Sequence, residues 1–179
     1  LQTYFQDDST IKGFSTIYGD FFSYMDDLRG SPADTSVRNQ FISGARKLCS
    51  YFNTMSDGLL KIQEDLNEQV KTTVDAVNSI AQKIALLNEQ INDVEINGAF
   101  ANDMRDQRAL LVDQLSTIVA VEVQETKVVN SNYPEMYTGA TNYSVKVNGL
   151  ELVDGDHYRQ LECVAREYKD NQNDAEGLY

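Results

Sequence analysis

The chain has 179 residues, 28 acidic and 15 basic side chains, a formal net charge of −13 and a pI near 4.3. Nucleic acid and an anionic membrane surface are both disfavoured as partners, because binding them requires clustered Lys and Arg, and the basic residues here are scattered among acidic ones. Hydrophobic residues make up 41% of the chain, which is enough for a packed core. No apolar run approaches the roughly 20 residues of a transmembrane helix, so membrane insertion is not expected.

A first helix is predicted at about residues 9–29. Ser9 or Thr10 can cap its start, and its apolar side chains recur on one face. Gly30-Ser31-Pro32 is expected to end it, with Gly30 as a left-handed cap and proline preventing continuation. Because this connection is short, the first and second helices should be antiparallel neighbours.

The second helix, predicted at about residues 35–97, organises the chain. Apolar residues recur at steps of three and four from Val37 to Val94, which places them on one face of a helix. No proline occurs between Pro32 and Pro134, and Asn97-Gly98 is a stop signal. An unbroken helix of about 60 residues would be roughly 90 Å long, far longer than most globular helices.

A third helix is predicted at about residues 103–117 and should fold back against the end of the second. Met104, Leu111, Leu115 and Ile118 are expected to face one side, and Asp106, Arg108 and Asp113 other sides. The carboxylates of Asp103, Asp106 and Asp113 could suggest acid–base chemistry. Because Arg105 and Arg108 interleave with them, a salt-bridged helix face is the favoured interpretation.

After Thr117 the apolar period changes from about 3.6 to 2, which indicates strands. Strands are predicted at about residues 119–125, 142–147, 150–153 and 159–165, with a polar loop at about 127–141. Asn148-Gly149 tolerates positive φ at both positions, so it predicts a two-residue hairpin. The fold class is therefore α+β: an elongated antiparallel helical bundle built on one very long helix, followed by a small antiparallel β region. Residues 1–118 would form a helical rod domain and residues 119–179 the start of an outer β-rich domain.

The two shorter helices can cover the ends of the long helix but not its middle. Apolar side chains there would stay partly exposed, and an exposed apolar stripe of that length indicates a partner surface. This candidate packing interface comprises Ile62, Leu66, Val70, Val77 and Ile80. A second copy, or another segment of the same protein, would cover it.

Signals for chemistry are few. His157 lies close to Asp154, Asp156 and Glu162, but the spacing matches no metal-ligand signature, and Asp-Gly-Asp is ordinary turn sequence. No phosphate-binding glycine loop, HExxH, GxSxG or CxxC motif occurs, so no cofactor, metal or small-molecule substrate is expected. Cys49 and Cys163 are interpreted as two buried free thiols.

Residues 101–116 carry the most specific resemblance to a known family. Ala101-Asn102-Asp103-Met104-Arg105-Asp106-Gln107-Arg108, followed by Leu110-Leu111-Val112-Asp113-Gln114-Leu115-Ser116, resembles the FlgK family of flagellar hook-associated proteins. The helix upstream (Leu66–Val70, Val77–Ala81 and Ile84–Ile91) and the hairpin with Leu152-Val153-Asp154-Gly155 are also similar to that family. Asn102, Asp103, Arg105, Asp106, Gln107, Arg108, Leu111, Asp113, Gln114 and Leu115 would be structural residues of the family motif.

The resemblance implies a structural subunit that joins the flagellar hook to the filament, outside the cell, after type III export without cleavage of a signal peptide. Its partners would be copies of itself and neighbouring axial proteins, the hook protein and a second junction protein. The family's N-terminal segment and its C-terminal helical segment have no counterpart in these 179 residues. That C-terminal segment is a candidate for covering the exposed middle of the long helix.

Two other hypotheses come from different classes. In a cytoplasmic coiled-coil adaptor or dimerising signalling module, Leu66–Ile80 would form a dimer seam. In an enzyme, Asp154, Asp156 and His157 would form the site, which the poor spacing disfavours. The predicted protein is thus not an enzyme.

Overall fold

The computed structural model describes Asp7 and residues 13–179. Three helices come first: α1 at Phe14–Gly30, α2 at Thr35–Ile96 and α3 at Asn102–Ser116. Four strands follow: β1 at Val121–Val129, β2 at Tyr137–Val147, β3 at Leu150–Asp154 and β4 at His157–Tyr158. A long helix and a small antiparallel sheet are both present, so the predicted α+β class is confirmed.

The start of α1 differs from the prediction. The expected caps Ser9 and Thr10 lie outside the described residues, and the helix begins after Gly13. Asp7 accepts hydrogen bonds from the Thr16 hydroxyl at 2.8 Å and the Gly13 backbone N–H at 2.9 Å, which hold the pKa of its carboxyl at about 2. A carboxylate thus satisfies a backbone donor at the helix start.

The end of α1 also corrects the prediction. Gly30 is the last helical residue and has no positive φ, so the expected left-handed cap is wrong. Instead the Ser31 backbone N–H closes the last turn by donating to the Asp27 carbonyl at 2.9 Å.

The prediction for α2 is confirmed to within one residue. Asp34 caps its start, because its carboxylate accepts from the backbone N–H of Ser36 at 2.7 Å. Gly98 ends it with a φ of +81°, and its N–H donates to the Glu95 carbonyl at 3.0 Å. Among the described residues, no helix combines the length and the apolarity that a membrane span requires.

Contacts divide the described residues into two compact units, and the first contains Asp7 and residues 13–67 together with Arg166–Leu178. Its helices pack through aromatic side chains: the Phe14 ring lies 5.8 Å from that of Phe52, and the Phe21 ring 5.4 Å from that of Phe41. The earlier residue of α1 contacts the later residue of α2, and the later residue of α1 contacts the earlier one. The predicted antiparallel pairing of the first two helices is therefore confirmed.

The segment Arg166–Leu178 completes the first unit. Gln63 of α2 donates to the Asp174 carboxylate at 3.2 Å and accepts from the Ala175 backbone N–H at 2.9 Å. Leu178 is buried, and its carbonyl accepts from the Arg166 N–H at 2.8 Å. The polar segment is thus held in place by one α2 side chain and by its own backbone.

The second unit is Glu68–Ala165 with Tyr179. Here α3 folds back on α2 as predicted, and the sheet has the order β1-β2-β3-β4 with all pairs antiparallel. Helices and sheet share one core, formed by Val77, Ala81, Ile84, Ala85, Leu115, Tyr143, Val145, Leu152 and Val153. The domain boundary proposed at residues 118 and 119 falls within this unit, and that division stays a prediction.

The Asn148-Gly149 hairpin is confirmed, with φ of 51° and 76° between the paired residues Val147 and Leu150. The polar loop predicted at 127–141 is wrong, because β1 continues to Val129 and β2 starts at Tyr137. Thr, Tyr and Val dominate these extensions, and their high β propensity outweighs the polar character of the segment.

The strand predicted at 159–165 is also wrong. β4 is only two residues long and pairs through Val153 with Tyr158 and Asp154 with His157. Further along, the Leu161 N–H donates to the Asn78 side chain at 2.8 Å, and its carbonyl accepts from the same side chain at 2.9 Å. A helix side chain thus takes the backbone groups that strand pairing would use.

Both cysteines are free, as interpreted, but the prediction that both are buried is wrong. Cys49 is exposed and Cys163 half-buried. Cys49 lies beside the apolar face of α2 rather than on it, so that packing against this face leaves its thiol accessible.

Gly139 provides a test of the packing of β2 on α2. Its φ is +92°, and an added Cβ would lie 2.7 Å from the Glu95 carbonyl oxygen. We expect Gly139→Ala to lower the free energy of unfolding by about 2–4 kcal/mol, measured by denaturant titration, because strain and a backbone clash act together.

The matched control is Gly98→Ala, at a φ of +81° with open space around the new Cβ. It should cost only about 1–2 kcal/mol, since backbone strain acts alone. Equal losses for the two variants would contradict the close approach of β2 to α2.

Candidate functional site

The inward face of α3 contains a charged residue. Met104, Arg108, Leu111 and Leu115 recur at helical spacing, and Arg108 is only 4% exposed. The expectation that Arg108 would face away from the apolar side chains is wrong, because position 108 is one turn from positions 104 and 111. The side chain of Arg108 was expected on another side of α3 because of its charge, although its position is that of an inward-facing residue.

Arg105 joins α3 to the end of α2 and to β1. Its guanidinium binds both carboxylate oxygens of Glu95, from Nε at 2.7 Å and from Nη2 at 2.6 Å. Nη1 donates to Glu125 Oε1 at 2.9 Å. The hydrogen bonds with Glu95 raise the pKa of Arg105 above its usual range. Two parallel bonds of this kind fix the relative orientation of both partners.

Arg108 lies deeper and makes three different contacts. Nη1 donates to Asn88 Oδ1 at 2.9 Å, Nη2 donates to Glu125 Oε1 at 3.3 Å, and the guanidinium carbon lies 3.6 Å from the Tyr143 ring centroid. Burial lowers the pKa of Arg108, although the charge of Glu125 opposes this. An arginine remains charged in any protein environment, so this cation needs all of its partners.

Glu125 of β1 is the shared acceptor. Its Oε1 accepts from Arg105, from Arg108 and from the Thr141 hydroxyl, the last at 2.8 Å. Burial raises the pKa of the Glu125 carboxyl, but the Thr141 hydrogen bond and the two arginine charges outweigh it, and the net shift is downward. We call Asn88, Glu95, Arg105, Arg108 and Glu125 the arginine cluster.

Two asparagines of α2 bind the backbone of the sheet. Asn88, 1% exposed, donates to the carbonyls of Tyr143 at 3.2 Å and Gly155 at 2.6 Å. Asn92 donates to the Thr141 carbonyl and accepts from the Thr141 N–H, both at 2.9 Å. The sequence analysis missed these residues, although Asn88 occupies an apolar-face position between Ile84 and Ile91. A polar residue in such a position is a detectable signal.

Polar satisfaction is complete in the described part of the chain: no buried side-chain nitrogen or oxygen lacks a hydrogen-bond partner. An unpaired buried polar atom would cost about 1–3 kcal/mol, so the arginine cluster is compatible with a stable core.

Only part of the predicted family motif reaches the cluster. Arg105, Arg108, Leu111 and Leu115 face inward, whereas Asn102, Asp103, Asp106, Gln107, Asp113 and Gln114 are exposed. The interpretation of the arginines as part of a salt-bridged α3 face is wrong. Their partners are Glu95 and Glu125, because Arg105 and Arg108 extend toward α2 and β1, away from the exposed aspartates.

The candidate packing interface is exposed only in part. In the first unit Leu66 is 54% exposed and Ile62 is half-buried. In the second unit Val70 is 48% exposed. Val77 is 2% exposed and lies in the core, so its expected exposure is wrong, whereas Ile80 is half-buried against that core, in line with the partial exposure expected of it. Side chains of β2 and β3 share the core with Val77. The interface role of these residues stays a prediction.

A groove in the first unit runs along α2. It has a volume of about 520 Å³, and its apolar floor consists of Phe52, Met55, Leu59, Ile62 and Leu66. These positions alternate in steps of three and four, which is the spacing of a helix face that packs against another helix. Asn171, Asn173 and Asp174 lie along its polar edge. The groove is therefore shaped and spaced for helix packing.

Of the three residues of the enzyme hypothesis, Asp154 and His157 line one cavity of about 340 Å³, and Asp156 does not line it. His157 Nδ1 lies 2.6 Å from Asp156 Oδ1, both side chains are exposed, and this hydrogen bond lowers the pKa of Asp156. Asp154 accepts instead from Asn142 Nδ2 at 3.0 Å. Within the residues that the structure describes, no three His, Cys, Asp or Glu side chains gather as a metal site would require.

Together these features define a class of protein. Ionised side chains tie α3 to α2 and the sheet, and an exposed helix face carries coiled-coil spacing. This arrangement is typical of a helical packing domain, in which the charged side chains hold the elements together.

Comparisons with known proteins agree with that class. The family model for the flagellar hook-associated protein FlgK helical domain matches residues 1–177, and the chain belongs to this family. Flagellar hook-associated protein 1 of Escherichia coli is 31% identical over 158 residues, which cover 87% of this chain and 27% of that protein. The protein of the same name from Salmonella typhimurium is 33% identical and covers 80% and 24%.

A solved structure has the same fold. It is the flagellar hook junction protein FlgK from Burkholderia pseudomallei, with a TM-score of 0.70 and 32% identity over 84% of this chain and 24% of that chain. The chain spans about a quarter of the length of these relatives. The predicted family resemblance is confirmed.

The arginine cluster predicts a strong dependence of stability on Arg108. We expect Arg108→Met to lower the free energy of unfolding by about 2–4 kcal/mol, because it leaves the buried Asn88 Oδ1 without its donor and removes one of the two cations at Glu125. Arg29→Met is the control, since the Arg29–Asp26 pair is exposed and should contribute less than about 0.5 kcal/mol. Comparable losses of stability for the two variants in denaturant titrations would contradict the role of Arg108 as a buried cation that holds the cluster together.

The cluster also predicts an acid-side pH dependence. The folded-state pKa values of Glu95 and Glu125 lie below the unfolded value of 4.5, so their contribution is fully present above that pH and is lost as the pH falls through the folded values. Glu125→Gln should lower stability at neutral pH and make its decline below pH 4.5 shallower. Glu122→Gln, at an exposed position of the same strand, should leave the slope unchanged; thermal unfolding across acid pH measures both.

Proposed function

We propose that this chain is part of a structural subunit of the bacterial flagellum that joins the hook to the filament. Family membership over residues 1–177 is the observation that carries the proposal. In support, the solved relative of similar fold is described as a flagellar hook junction protein. The subunit would act outside the cell through packed helices and contacts between subunits, after export without a cleaved signal peptide.

The arginine cluster would give this subunit its mechanical role. A junction has to transmit torque and bending between two polymers, and a rigid joint between helix and sheet suits that task. Bidentate ion pairs and main-chain hydrogen bonds resist sliding better than apolar contacts do, because they have one preferred geometry. The charged residues of α3 are thus proposed to have an architectural role and no catalytic one.

The partners would be copies of the same subunit and neighbouring axial proteins, including the hook protein and a second junction protein. The β-rich outer domain proposed for the longer protein would extend from the sheet that begins at Val121. No nucleic acid, membrane lipid or small-molecule substrate is proposed, and no cofactor.

The groove of Phe52, Met55, Leu59, Ile62 and Leu66 would take the C-terminal helical segment that the family resemblance implies. Its three-four spacing supports a helix as the occupant. The rival adaptor hypothesis needs a dimer seam through Leu66–Ile80. It is not favoured, because Val77 in that stretch is 2% exposed and packs in the core.

An assembly experiment tests the proposal. In the full-length protein, Leu59→Glu with Leu66→Glu should leave the second unit folded but prevent attachment of filaments to hooks, because a helix cannot bury two carboxylates. Asn53→Glu, on the same helix outside the groove, is the matched control and should assemble normally. Electron microscopy of purified flagella and swimming in soft agar measure the result.

Light scattering separates the rivals. The chain of 179 residues should be monomeric or weakly self-associating across a dilution series, and addition of the C-terminal segment should suppress that association. A tight dimer that the added C-terminal segment leaves intact and that Val70→Glu disrupts would overturn the junction proposal in favour of the adaptor, because Val70 lies in the adaptor's seam and outside the groove.

A further inference from the structure

The chain contains two Asn-Gly sequences, Asn97-Gly98 after α2 and Asn148-Gly149 between β2 and β3. In such a pair the glycine nitrogen can attack the asparagine side-chain carbonyl, because no Cβ on glycine hinders the approach. Both pairs lie in exposed turns. The hydrogen bonds of the two pairs differ, so the two asparagines should differ in how readily they react.

Asn97 is held away from the reaction. Its side-chain amide donates to the Asp93 carbonyl at 2.7 Å, which keeps the carboxamide back along the helix. The would-be nucleophile, the Gly98 nitrogen, donates to the Glu95 carbonyl at 3.0 Å. Both reacting groups are therefore engaged, and freeing them requires the last turn of α2 to open.

Asn148 has neither restraint. In the described part of the chain, neither its side chain nor the Gly149 nitrogen makes a hydrogen bond, and the adjacent strand pair is that of Val147 with Leu150. Both turn residues have positive φ, at 51° and 76°. Only the two-residue turn has to deform for the atoms to meet, and turns open at lower free energy than core elements.

We propose that Asn148 is a site of spontaneous deamidation in the folded protein and that Asn97 is protected. The Gly149 nitrogen bonds to Cγ of Asn148 and passes its proton to solvent base, while Nδ2 takes a proton from solvent, the Cγ–Nδ2 bond breaks and ammonia leaves. Water then opens the resulting succinimide at either carbonyl. The products are aspartate, or isoaspartate in which the backbone runs through Cγ.

The isoaspartate product has a structural consequence. It adds one methylene to the main chain of a loop whose length sets the pairing of Val147 with Leu150. The same two strands supply Val145, Leu152 and Val153 to the core. A longer turn would loosen these side chains, and the new carboxylate would add to a formal charge of −13.

Peptide mapping by mass spectrometry tests the proposal. The purified folded chain is kept in mildly alkaline buffer, and conversion of each Asn-Gly peptide is followed with an isoaspartate-specific assay. Asn148 should convert about tenfold faster than Asn97, or more, since a difference of about 1.4 kcal/mol in opening free energy gives that factor. In denaturant the two rates should become similar.

Asn148→Gly is the matched variant, because Gly-Gly suits the same turn and has no carboxamide. It should abolish isoaspartate at this hairpin while leaving the circular dichroism spectrum unchanged. The acidic form of the wild-type chain, separated by ion exchange, should show a lower Tm. Conversion of Asn97 as fast as Asn148 in the folded chain, or of neither, would overturn the proposal.

Discussion

The structure of the second unit depends on one buried cation. Arg108 cannot discharge, so the chain has to surround its guanidinium with acceptors while also filling the core beside Leu115. Asn88 comes from α2, Glu125 from β1 and the Tyr143 ring from β2. Few arrangements of these elements satisfy the charge, and one misplaced element would leave it unpaired. The cluster therefore specifies the packing more than it adds net stability.

Arg105 extends this constraint to the surface. It holds Glu95 near the end of α2 and shares Glu125 with Arg108. The two arginines are three positions apart, so that neighbouring turns of α3 reach one carboxylate. The turn between α2 and α3 is thereby fixed from both sides. Such a joint suits a protein whose proposed work is mechanical.

Local patterns in the sequence were enough to predict the helices and the central hairpin. The three-four recurrence of apolar residues located α2 to within one residue, and Asn148-Gly149 located a turn, because each signal lies within the element it predicts. The spacing of apolar residues also predicted α3, and the family resemblance added its motif residues. Such local patterns do not show which elements far apart in the sequence pack against each other.

The failures have specific physical causes. Arg108 was expected away from the apolar side of α3, since its charge was visible in the sequence and its partners, 17 and 20 residues away, were not. Residues 127–129 and 137–141 were predicted as loop because they flank the polar stretch 130–136, but their Thr, Tyr and Val side chains suit cross-strand pairing. Val77 had been expected to stay exposed, but it packs in a core that α2 shares with β2 and β3, and local sequence patterns do not show such packing between distant elements.

The side-chain amides of α2 have a consequence for how this family can diverge. Asn78 binds the peptide group of Leu161, and in the other unit Gln63 binds the N–H of Ala175. Each side-chain amide hydrogen-bonds to backbone atoms. Every residue type has the same backbone groups, except that proline lacks the N–H. The side chains at the bound positions can therefore be substituted without loss of these hydrogen bonds, whereas the amide side chains of α2 cannot. Substitutions within the family should therefore concentrate in the segments around Leu161 and Ala175. The asparagines and the glutamine of α2 that bind these segments should vary less, and they are the better markers of a relative.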